Sequence, residues 1–165
     1  MRFRRNDAKV DLRMRLLGSD PASFGLKPSA DLPRVWAALM EIGMPNGSAS
    51  VVAVADGSAS MYTSTGGGMI GAGEHESVRA PARAFLQTIE KLLDAIPVAE
   101  TAPTPRDGEY AFVALTFEGM RRAVDREAAL SQGSHPLLAA FVAGHELVTA
   151  MRSLQTTLQG KTAGR

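Results

Sequence analysis

The chain has 165 residues, 45% hydrophobic and 21% charged, with 18 basic against 17 acidic side chains. That length suits one domain of about 100–200 residues, and the composition excludes a disordered chain. A net charge of +1 argues against a whole-surface nucleic-acid binder, and with no cysteine there are no disulfides, Cys-ligated metals or thiol nucleophiles.

No apolar run approaches the roughly 20 residues of a membrane span. Met1-Arg-Phe-Arg-Arg5 opens without the apolar core of a secretory leader, so a cytoplasmic location is expected. The charge is uneven. Residues 1–30 hold seven basic and three acidic side chains, a net +4, and the remainder is −3. This basic arm is a candidate docking segment for an anionic partner or surface, through Arg2, Arg4, Arg5, Arg13 and Arg15. The alternative is a solvated, partly disordered terminus. Val10, Leu12, Met14 and Leu16 alternate as in a short edge strand, yet the composition also permits a helical turn. Gly18, Asp20-Pro21 and Gly25 end any regular element there.

The body follows over residues 31–156. Asp31-Leu32-Pro33 has the form of a capped helix start, and Leu32, Val35, Trp36, Leu39 and Ile42 continue at helical spacing. A first helix is therefore predicted over 32–43, closed by Gly43 and Pro45. Trp36, the single tryptophan, fits the core or a ligand platform. Asn46-Gly47 marks a turn. Ser50–Ala55 forms a buried strand, and Asp56-Gly57 predicts a type I′ hairpin into a strand over about 58–65. Five of the sixteen glycines then fall within residues 66–73.

Val78, Ala82, Phe85, Leu86, Ile89, Leu92, Leu93 and Ile96 predict a second helix over about 75–95. Pro81 lies inside it, either delaying its start to a Ser77 cap or kinking it. A short strand over 98–101, a Pro-rich loop, a strand over 110–117 and a returning strand over 120–124 follow. Ser134-His135-Pro136 opens a third helix over about 135–156, and the tail 157–165 is expected to fray. Short turns between strands make the sheet antiparallel, so the predicted class is α+β: five strands flanked by three helices in the order α-β-β-α-β-β-β-α.

This order, carried by the hairpin around Asp56-Gly57, the helix 75–95 and the meander 98–124 before helix 135–156, resembles the Roadblock family of dynein-light-chain-like and GTPase-regulator domains. Profilin-like and longin-like domains share much of the layout. The resemblance implies homodimerisation through the sheet edge and second helix, and a scaffold role toward small GTPases or similar partners.

Gly66, Gly68 and Gly71 formally satisfy G-x-G-x-x-G between a strand and a helix. However, the strand before them is a hairpin arm, not the opening strand of a parallel βαβ unit. Gly66, Gly67, Gly68, Gly71, Gly73, Glu74, His75 and Glu76 remain the candidate ligand or partner contacts, against the alternative of a flexible connection or a bulged edge under close backbone approach. His145-Glu146 lacks the second histidine of a zincin, and His145 fits a satisfied core histidine or a buried switch. No Ser nucleophile motif is present. No catalytic residue, cofactor or metal is assigned. The expected function is a non-enzymatic, dimeric interaction or scaffold module. The alternative is a small-ligand sensor or enzyme with its site at Gly66–Glu76.

Overall fold

The structure, a computed structural model, describes residues 12–164. Residues 12–17 form a short helix, α1, and a 3-10 turn follows at Pro21–Phe24. Then come β1 (Val35–Met44), β2 (Gly47–Val54), β3 (Ala59–Thr63), β4 (Gly68–Met69) and helix α2 (Glu76–Leu92). After it lie β5 (Val98–Ala99), β6 (Glu109–Thr116), β7 (Gly119–Arg126), a single turn α3 (Glu127–Leu130) and the long α4 (Leu138–Ala163). The strands make one antiparallel sheet in the order β4-β3-β2-β1-β6-β7-β5. The class is α+β as predicted, with seven strands and four helices in place of five and three.

The largest departure is β1. The segment predicted as a helix over 32–43 is the central strand, bonded to β2 on one side and β6 on the other. Both its faces are buried, so nearly every position from Val35 to Ile42 is apolar and no alternation shows. An uninterrupted apolar run contains helical spacing by coincidence. Asp31 does not cap a helix; its carboxylate accepts from Arg83 of α2. Gly43 does not end a helix either. It lies under the 100–108 loop, where a Cβ would sit 1.6 Å from the Arg106 carbonyl oxygen.

The predicted hairpins around Asp56-Gly57 and Glu118-Gly119 form. A further hairpin, not predicted, joins β1 to β2: Met44 pairs with Gly47, so Pro45 and Asn46 make its loop. The turn at Asp56-Gly57 is not type I′, because only Gly57 has positive φ (95°) and the Val54 amide bonds to the Ser58 carbonyl across three residues. Residues 12–17 take the helical alternative and not the edge strand. α2 starts at Glu76 and runs through Pro81, so Ser77 is not its cap. α4 continues to Ala163, beyond the predicted end at 156.

The sheet has two unlike faces. On the first, Val35, Ala38, Met40, Phe112 and Ala114 meet α2 and α4 in one core with Phe85, Ile89, Leu147 and Met151. Gly144 lets α4 cross close to β1, since a Cβ there would approach Met40 Sδ to 2.4 Å. On the second face, Trp36, Leu39, Val52, Val54, Val113 and Leu115 form a smaller cluster. Among the described residues no long helix lies over it. Its cover is a strap made of α1 and the 3-10 turn, contributing Leu16, Leu17 and Leu26, together with Ala102 of the loop before β6.

Candidate functional site

The second face changes character along its length. Toward the start of β1 it is apolar. There Trp36 is 2% exposed, donates from Nε1 to the Thr116 carbonyl at 3.2 Å, and lies 5.8 Å from the Phe24 ring of the strap. This places Trp36 in the core. Toward the other end the face is polar, because Glu41 of β1, Ser48 and Ser50 of β2, Tyr62 of β3 and Arg122 of β7 occupy the same side of successive strands.

Glu41 is fully buried in the middle strand. A carboxylate there needs a partner, because burying an unpaired charge costs several kcal/mol (~3–5). Arg13 of α1 supplies one, donating from Nε to Oε2 at 2.6 Å and from Nη2 to Oε1 at 2.8 Å. Ser50 adds a hydroxyl bond to Oε2 at 2.9 Å. Arg13 Nη2 also donates to the Ala102 carbonyl at 2.6 Å, tying the strap to the neighbouring loop. The two-point bond holds the Arg13 guanidinium above its already high ordinary pKa, outweighing the cost of burial.

Two polar groups beside this pair are incompletely served. Tyr62 Oη and Arg122 Nε are buried with no hydrogen-bond partner. Burial, with the Glu41 carboxylate nearby, pushes the Tyr62 phenol up to about 12, so it stays a neutral donor. Burial pulls the Arg122 guanidinium below its ordinary value, although Nη2 donates to the Pro103 carbonyl at 2.6 Å. A cavity of about 90 Å³ opens here, lined by Arg13, Met14, Ser48, Ser50, Tyr62 and Thr104 among others. On the strap, Arg13, Leu16, Leu17 and Leu26 are part-buried against the face, while Met14 (57% exposed) and Phe24 (43%) stand further into solvent.

The Gly-rich junction is built differently. Gly66, Gly67, Gly68 and Gly71 have positive φ, and Gly68 begins the edge strand β4. Gly73 is buried where a Cβ would come within 1.9 Å of the Gly57 carbonyl oxygen. The run thus contains the close backbone approach that the sequence allowed as one reading. Glu74, His75 and Glu76 are exposed. Arg79 crosses the junction, donating to the Gly73 carbonyl at 3.0 Å and to the Glu74 carbonyl at 3.3 Å.

Of the arm residues, Arg13 points inward to Glu41, and Arg2, Arg4 and Arg5 lie outside the described residues. His145 accepts or donates at 3.1 Å to Tyr110 Oη and stacks edge-on with Phe141. His135 bridges Asp125 at 2.9 Å and accepts from the Leu137 amide. Among the described residues no group of three or more His, Asp or Glu could hold a metal ion, and no helix is long and apolar enough to cross a membrane.

The pattern of the sequence missed Glu41, Ser50, Tyr62 and Arg122 as a group. One signal was available: Glu41 is the lone charge in Val-Trp-Ala-Ala-Leu-Met-Glu-Ile-Gly-Met, and a carboxylate inside such a run implies a cationic partner. No protein-family model, no curated protein and no solved structure matches the chain, so the Roadblock resemblance, the dimer and the GTPase partner draw no support from comparison.

Proposed function

We propose that this chain is a non-catalytic interaction module whose binding surface is the second sheet face, closed in the free protein by its own N-terminal strap. The observation that carries this reading is the cover itself. Among the described residues, a sheet face with a buried carboxylate at its centre is covered by a short strap whose inward side chains, Arg13, Leu16, Leu17 and Leu26, are only part-buried, and not by a long helix. Structural layers of a core bury their contact residues, whereas an intramolecular ligand leaves its own outer side in water. The polar half of the face also gives a partner directional contacts.

Hydrogen exchange on the intact protein tests the reading. Amides of the strap, such as those of Gly18, Ser19 and Leu26, are expected to exchange through a local opening, far faster than those of β1 and β6, which require global unfolding. Strap amides that exchange only with β1 would make the strap part of the core and overturn the proposal.

A further inference from the structure

The strap also states what kind of partner the face accepts. Resting on the reading above, we infer that the second face binds an amphipathic helical segment of a partner protein that carries an arginine followed three and four positions later by leucine, in exchange for the chain's own strap. In α1 the residues that face the sheet are Arg13, Leu16 and Leu17, the i, i+3 and i+4 positions of one helical stripe. Their receptors differ. The arginine meets the carboxylate of Glu41 by two parallel bonds, and the leucines enter the apolar cluster around Trp36 and Leu39. The spacing between the buried charge and the apolar patch is fixed by the sheet, so it selects for that order of side chains.

Charge complementarity selects arginine over lysine. The guanidinium fork matches both carboxylate oxygens and still reaches the Ala102 carbonyl, whereas an ammonium is a point charge that cannot keep this two-point geometry. The strap also underfills the face. Met14 stands half in solvent beside the 90 Å³ cavity, and the Tyr62 hydroxyl, next to Ser50, completes no full hydrogen bond. A segment with a larger or acceptor-bearing side chain at the Met14 position has contacts to gain that the strap lacks. An internal ligand that leaves such contacts unused is displaceable.

The experiment is a titration of the full-length chain with a fluorescently labelled peptide of residues 8–20, read by anisotropy. The wild-type chain competes with its own strap and is expected to bind weakly. Arg13→Ala in the full chain frees Glu41 and should tighten peptide binding at least tenfold. Adding Glu41→Gln to that variant should remove the gain, and a peptide carrying Arg13→Lys should bind at least tenfold less tightly. Should Arg13→Ala unfold, full-length Arg13→Lys is the milder way to loosen the strap and should show the same ordering. Peptide binding that is indifferent to Glu41, or absent from a folded strap-loosened chain, overturns the inference. If hydrogen exchange has meanwhile shown the strap opening locally, that result removes only the arginine-bearing partner and leaves the surface itself standing.

Discussion

At the residue scale, the Arg13–Glu41 pair dominates the electrostatics of the second face. Its worth lies less in attraction than in what is left when it breaks. Arg13→Ala leaves the Glu41 carboxylate with one hydroxyl partner while the strap is closed. The variant is therefore expected to open its strap and lose in urea unfolding at most the strap's docking energy, less than the ~3–5 kcal/mol of a broken pair that stays buried. The paired replacement Arg13→Leu with Glu41→Leu should recover most of that loss, because two apolar side chains leave no charge to desolvate. His145 offers a pH test. Partial burial between Tyr110 and Phe141 lowers its pKa below the ordinary value of about 6.5, so the folded state favours the neutral ring while the unfolded chain takes up a proton first. Stability is therefore full above about pH 6.5 and falls as pH drops toward the folded value. Thermal unfolding of wild type and His145→Gln between pH 7.5 and 5 should show the steeper loss in wild type. The apolar stripe suggested a satisfied core histidine, and His145 is satisfied by Tyr110 Oη but only part-buried, at the edge of the core. The pairing of Glu41 was not legible, because its partner lies 28 residues away on a different element and no spacing rule joins them.

At the element scale, amphipathic segments were easier to read than fully buried ones. α2 has one wet face, so its stripe of Val78, Ala82, Phe85, Leu86 and Ile89 appears directly in the sequence. β1 has no wet face, and its period is lost. Glu90 of α2 shows how the elements are then joined. Burial alone would raise its carboxyl, but the Arg34 guanidinium and the Arg34 and Val35 amides hold it below its ordinary value and fix the start of β1 under the helix. Glycines mark other joins. Gly43→Ala would drive a methyl group into the Arg106 carbonyl, and neither backbone can yield without moving the 100–108 loop. The expected result is a loss of about 1–3 kcal/mol on the overpacking scale, with faster amide exchange confined first to that loop. The same reasoning covers Gly73 beneath Gly57, which gives the Gly-rich junction a structural part without any ligand.

At the scale of the whole molecule, the sheet divides two kinds of cover. The helical face is thick, with α2 and α4 enclosing a core of large side chains. The strap face is thin and holds the buried charge. Opening the strap exposes Trp36, Leu39 and Glu41 while leaving the helical core intact, which is why strap amides are expected to exchange apart from the strands. The peptide titration addresses the same asymmetry from outside. The basic excess noted in residues 1–30 also takes on a definite meaning at Arg13, which neutralises a carboxylate inside the protein.

The sequence by itself determined the α+β class, the hairpins, α2, the start region of α4 and the antiparallel sense of the sheet. Those follow from local chemistry: turn residues, helix periodicity and short connections. Only the tertiary structure decided that Val35–Met44 is the central strand, that α1 lies across the second face, and that Arg13, Glu41, Ser50 and Tyr62 form one site. A strand buried on both sides carries no period to read. A site assembled from α1, β1, β2 and β3 exists only when strand order and register are set, and those depend on which apolar faces bury each other, not on neighbouring residues.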